Sequence, residues 1–149
     1  KEVFPVGRLD IDTHGLLLLT NNGKLAHAML SPKKHVDKVY RAHVAGIMTQ
    51  EDIVRFKAGI ELKDFTTLPA ELEILELDPE AKTCLVQIRI AEGKFHQIKR
   101  MVAACGKEVV DLERISMGPL SLDPTLELGE WRRLKPSELA SLEVFGVPL

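Results

Sequence analysis

Apolar residues change their spacing several times along this chain, and each change marks an element. Leu16-Leu17-Leu18-Leu19-Thr20 is a short unbroken apolar run closed by Asn21-Asn22-Gly23, the signature of a buried strand ending in a tight turn. Lys24 to Leu30 has the length of a short helix that stops at Ser31-Pro32, because a proline pushes the residue before it out of helical geometry. Lys38 to Val44 alternates as a strand does. Thr49 and Asp52 are spaced as a capping box, Met48 and Ile53 as a hydrophobic staple, and Gly59 stands where a helix ends, so Gln50 to Ala58 is predicted helical. Residues 70–77 and 84–90 alternate on either side of Asp78-Pro79-Glu80, which predicts antiparallel neighbours with one face on the core. From Phe95 the period lengthens: Phe95, Ile98, Met101, Val102 and Cys105 recur at three and four, with Gly106 just past the end. That amphipathic helix would expose His96, Lys99, Arg100 and Ala103. Val109 to Met117 and Trp131 to Leu134 are predicted strands, and Pro136 to Leu142 a last helix.

Strands followed by helices in this irregular order point to an α+β domain rather than a regular βα alternation. At 149 residues, 45% hydrophobic and 28% charged, the chain is long enough to bury one core, and a single domain over 1–149 is expected. No apolar run approaches the roughly 18 residues of a membrane span, and the first seven residues carry no signal pattern, so a cytoplasmic protein with no membrane contact is expected. Cys84 and Cys105 lie in apolar runs and suit a reducing compartment.

A net charge of −2 argues mildly against a nucleic-acid partner until its distribution is considered. Lys33, Lys34, Lys38 and Arg41 against Asp37 leave +3 within 33–41, whereas 61–80 carries −6. One basic face and one acidic face are therefore expected.

The stretch richest in chemistry is Gly7-Arg8-Leu9-Asp10-Ile11-Asp12-Thr13-His14-Gly15, a polar loop that can hold a carboxylate at the mouth of a sheet. Read by itself, it could equally be a turn in which Asp10 and Asp12 bond local backbone. Order and company decide. The loop runs into Leu16-Leu17-Leu18-Leu19-Thr20-Asn21, then come Lys38-Val39-Tyr40 and Glu92-Gly93-Lys94-Phe95-His96-Gln97-Ile98-Lys99-Arg100-Met101. Together with Ser116-Met117-Gly118 and Leu128-Gly129-Glu130-Trp131-Arg132, these stretches closely resemble the RsuA/RluB/RluE/RluF family of bacterial ribosomal pseudouridine synthases, with details nearest the small-subunit RsuA branch.

The resemblance implies a mixed, largely antiparallel sheet with flanking helices and an active-site cleft. It makes Asp10 the catalytic aspartate, Tyr40 the ring that stacks on the target uracil, and Lys99 the basic partner of the aspartate. No cofactor or metal is implied. The implied substrate is a uridine of 16S ribosomal RNA, a 23S site being the alternative, on naked RNA or on a ribosomal assembly intermediate. Arg8, Lys33, Lys34, Lys38, Arg41, His96, Gln97 and Arg100 flank the three catalytic positions and are the candidate RNA-binding groups. A monomer is expected. Relatives carry an S4-like RNA-binding domain and a further catalytic segment upstream, so the domain is expected to be incomplete on its N-terminal side.

Two other readings have weaker support. Leu9-Asp10-Ile11-Asp12-Thr13 superficially resembles the Asp-x-Asp loop of haloacid-dehalogenase-like phosphatases, but Thr13 follows Asp12 without the intervening residue, and the later strands are antiparallel. A non-catalytic RNA-binding module would also suit basic patches. His14, His27, His35, His43 and His96 are scattered without the spacing of a zinc site.

Overall fold

The computed structural model describes residues 2–34 and 36–149; Lys1 and His35 therefore lie outside the described residues. In chain order its strands and helices are β1 Phe4–Pro5, β2 Thr13–Gly15, β3 Leu19–Thr20, α1 Gly23–Leu30, β4 Lys38–Ala45, α2 Gln50–Ala58, β5 Glu71–Asp78, β6 Thr83–Ile90, α3 Gln97–Ala104, β7 Glu108–Met117, β8 Leu120–Ser121 and α4 Pro136–Ser141. A six-stranded sheet runs β2-β7-β4-β6-β5, with β8 on β7, while β1 and β3 pair separately. Among the described residues only β2 and β7 pair in parallel, so the sheet is mixed and largely antiparallel.

Local chemistry accounts for the helices. Thr49 accepts the Asp52 amide and Asp52 accepts the Thr49 amide, closing both ends of the box that starts α2. Gly59 ends it at φ 91°, a conformation that costs glycine little. The Asn22 side chain caps α1 through the Leu25 amide, so Asn21-Asn22-Gly23 is a helix start as well as a turn.

One sheet face is covered and carries two apolar clusters. Ala42, Val44, Cys84, Val86, Ile88, Ile90 and Leu112 pack under α2 and α3, which contribute Phe56, Ile98, Met101 and Val102. Val6, Leu18, Leu25, Ala28, Met29, Met117, Leu120, Leu142 and Phe145 form the second. The opposite face is polar, presenting Arg41, His43, Arg89, Glu71 and Glu73 to solvent.

Four expectations need correction. Leu16–Thr20 is not a buried strand: only Leu19–Thr20 pairs, Leu17 and Leu19 are exposed, and the strand that joins the main sheet is Thr13–Gly15. A run with no alternation holds no information on which register wins. Phe95 lies outside α3 and is 76% exposed. Trp131–Leu134 forms no strand; Arg132 is instead clamped by Asp123 and Glu138, with Trp131 on the surface. Arg41 alternates out to the open sheet face, bonding Gln87, away from Tyr40.

Candidate active site

A cleft of ≈ 620 Å³ opens between the two apolar clusters, within the range of about 300–1,000 Å³ usual for ligand sites. Lys38, Tyr40, Leu112 and Arg114 come to it from β4 and β7, the Gly7–Asp10 loop and the end of α1 line one side, and Glu92–Lys99 lines the other. Asp10, Tyr40 and Lys99 all border this space.

Asp10 is held because its loop is tied at both ends. The Val6 amide bonds the Leu18 carbonyl, the Thr13 amide bonds the Asp10 carbonyl, and β2 pairs with β7. Gly15 makes that pairing possible: at φ 113°, a Cβ there would stand 2.3 Å from the Arg114 carbonyl oxygen.

Lys99 projects from the first turns of α3, with its Nζ 3.4 Å from Asp10 Oδ2 and hydrogen-bonded to Asp12 Oδ1. Burial pulls the Lys99 ammonium toward neutrality, but the Asp12 bond and the two carboxylate charges outweigh it and leave its pKa above the lysine value. The same bond holds the Asp12 carboxyl below the usual carboxylate range. His96 Nε2 stands 3.5 Å from Asp10 on its other side.

Tyr40 lies opposite Arg114 in the β4–β7 register. Burial pushes its phenol above the ordinary value, while the Arg114 guanidinium pulls the other way, so the ring is neutral at physiological pH. Lys38, one turn of the pleat away, is lowered first by burial and then by Arg114.

A family model described as RNA pseudouridylate synthase matches residues 1–104, a span that includes all three positions. The chain belongs to that family.

Among relatives, ribosomal small subunit pseudouridine synthase A of Vibrio cholerae is 44% identical over 144 residues, covering 95% of this chain and 60% of that protein. Ribosomal large subunit pseudouridine synthase B of Bacillus subtilis is 41% identical over 146 residues, covering 98% and 59%. A solved structure described as a crystal structure of pseudouridylate synthase superposes with a TM-score of 0.85 at 41% identity, over 94% of this chain and 59% of that one. The chain thus spans about three fifths of the length of the relatives it matches.

Of the eight flanking positions, the fold brings Arg8, Lys38, His96 and Gln97 to the cleft lining. Gln97 is 3% exposed, however, and its amide is spent on the Glu92 carboxylate and the Lys94 amide, so it fastens the loop that ends in His96. Arg100 is paired with Asp64 outside the lining, and Lys33 and Lys34 are exposed on the 3₁₀ turn Pro32–Lys34.

Arg114 went unrecognised in the sequence. It is 3% exposed, its Nε donates to the Leu16 carbonyl, and Nη2 is buried without a hydrogen-bond partner among the described residues. The available signal was a charge two residues from Leu112 on the inward side of a strand. It was hidden because the β4–β7 register skips a β7 residue at Val110 and again at Ile115, which breaks the alternation twice.

Proposed function

We propose that this chain is the catalytic domain of a ribosomal RNA pseudouridine synthase that isomerises one uridine of 16S ribosomal RNA, with Asp10, Tyr40 and Lys99 as its catalytic residues. One juxtaposition carries the reading. A carboxylate from the start of the chain and an ammonium from α3 meet 3.4 Å apart, in a cleft whose wall holds the chain's single tyrosine.

The reaction breaks the N1–C1′ bond of uridine, turns the freed base and joins C5 to C1′; the C5 proton leaves and N1 takes one up. Whether the Asp10 oxygen attacks the nucleotide or assists loss of a sugar proton, the carboxylate must be ionised. Lys99 supplies the cation beside it, 3.4 Å away. Tyr40 offers a flat, neutral ring to a uracil that has lost its neighbours in the RNA stack. Arg8, Lys38 and His96 on the cleft lining, with the exposed Lys33 and Lys34 farther out, are the groups this reading assigns to phosphates. In this reading the protein works as a monomer in the cytoplasm, on ribosomal RNA or an assembling ribosomal particle.

Pseudouridine mapping of 16S and 23S RNA from a strain lacking the gene tests the proposal. One 16S pseudouridine should vanish and return with the wild-type gene but not with Asp10→Ala, whose RNA binding should persist. A loss confined to 23S RNA transfers the substrate to the large subunit. An unchanged set of pseudouridines in both RNAs overturns the enzymatic reading.

A further inference from the structure

Phe95 is the odd residue of the cleft. A single exposed phenylalanine is ordinary, but this one is 76% exposed on the lining of the proposed catalytic cleft, not on an outer surface. Its ring lies parallel to that of His96, with centroids 3.8 Å apart and planes inclined by 17°. His96 in turn reaches Asp10. The backbone around the pair has several ties. His96 takes a left-handed conformation at φ 50° and ψ 35°, the Arg100 guanidinium bonds the Phe95 carbonyl, and the Gln97 side chain accepts from the Lys94 amide and donates to Glu92, just before the pair. One face of the Phe95 ring lies on His96, and the residue is otherwise largely exposed.

We propose that Phe95 is a specificity-determining contact that stacks on a base adjacent to the target uridine. The inference rests on the function proposed above. A nucleotide swung out of an RNA strand leaves its neighbours each short of one stacking partner, and proteins commonly replace it with an aromatic face. Phe95 offers such a face on the same cleft as Asp10, one ring away from it. The surroundings suit a polyanion: Lys94 precedes it, and Arg8 and Lys38 line the same cleft. A protein partner would need a larger apolar surface than one ring amid these cations provides, so a nucleobase is the occupant the chemistry favours.

The test uses the complete gene product and a short stem-loop RNA carrying the uridine located by mapping. Phe95→Ala should raise KM about 5- to 150-fold, the fold-change equivalent of about 1 to 3 kcal/mol for a base–aromatic contact, with kcat little changed. Phe95→Trp should bind as wild type does, and Phe95→Leu, which keeps apolar bulk without a ring, should resemble Phe95→Ala. RNAs in which each neighbouring base is removed in turn identify the partner. At one position the wild type should lose affinity while Phe95→Ala loses nothing further. Wild-type KM in Phe95→Ala, or losses that simply multiply at every abasic position, overturns the stacking role while leaving the enzyme assignment intact. Absence of pseudouridine formation by the wild type overturns both.

Discussion

Replacing Lys99 by Met keeps most of the length of the side chain and deletes the charge, leaving Asp10 and Asp12 without the ammonium they share. The magnitude follows from the 3.4 Å separation of Nζ and Oδ2. Coulomb's law gives about 1 kcal/mol at the dielectric constant of water and about 5 kcal/mol at an effective value near 20. Lys99 is 24% and Asp10 28% exposed, so the site lies between those limits. An intermediate value of about 2 to 3 kcal/mol corresponds to a 30- to 150-fold fall in kcat. The assay is single-turnover pseudouridine formation on ribosomal RNA, with Lys99→Arg as the variant that restores a cation and recovers most of the loss. A carboxylate titration followed by NMR checks the geometry independently. With the ammonium gone, the Asp12 midpoint should climb back toward 3.8 from its lowered position. Lys99→Met with kcat within about threefold of wild type, which corresponds to roughly 0.7 kcal/mol, refutes the pairing argument.

Arg114→Met removes the donor to the Leu16 carbonyl and the cation beside the phenol. It should cost about 1 to 3 kcal/mol in denaturant unfolding and move the alkaline absorbance transition of the single tyrosine of the 149-residue chain to higher pH. Gly15→Ala forces a side chain into the Arg114 backbone at a left-handed φ, for about 1 to 3 kcal/mol of strain and a melting temperature lower by roughly 2–12 °C. Asp52→Asn keeps the cap acceptor and removes the negative charge that faces the Lys107 ammonium, 2.6 Å away. Burial pushes the Asp52 carboxyl up, but Lys107 and the Thr49 amide leave it below its ordinary 3.8. The pair therefore stabilises above that value, by about 1.5 to 3 kcal/mol at neutral pH, and the advantage over Asp52→Asn should shrink as pH falls from 5 to 3. A gap that stays constant over that range contradicts the assignment.

The parts of this fold legible in sequence are those decided by neighbours along the chain. Helix α2 could be read from Thr49 to Gly59 because its cap, staple and terminal glycine act within one or two turns. The β5–β6 hairpin followed from alternation and the turn residues between. What escaped was decided at a distance. The leucine run surrendered its place in the main sheet to Thr13–Gly15, which pairs with β7 almost a hundred residues later. Phe95 kept helical spacing but fell before the left-handed residue that starts α3. Arg114 was masked by the two skips in β7. The catalytic candidates were legible only as motifs; spacing alone gave no reason to bring residues 10, 40 and 99 together.

The parallel pairing of β2 with β7, Thr13 opposite Leu112, also has a temporal side. A ribosome making this protein releases the aspartate loop about 100 residues before the strand that anchors it, roughly 5–20 s at ordinary elongation speeds of ~5–20 residues per second. Until then the acidic loop lacks its strand partner, and Lys99 is made only shortly before that partner. In a growing chain the cleft proposed as catalytic is therefore not assembled until β7 has followed the loop.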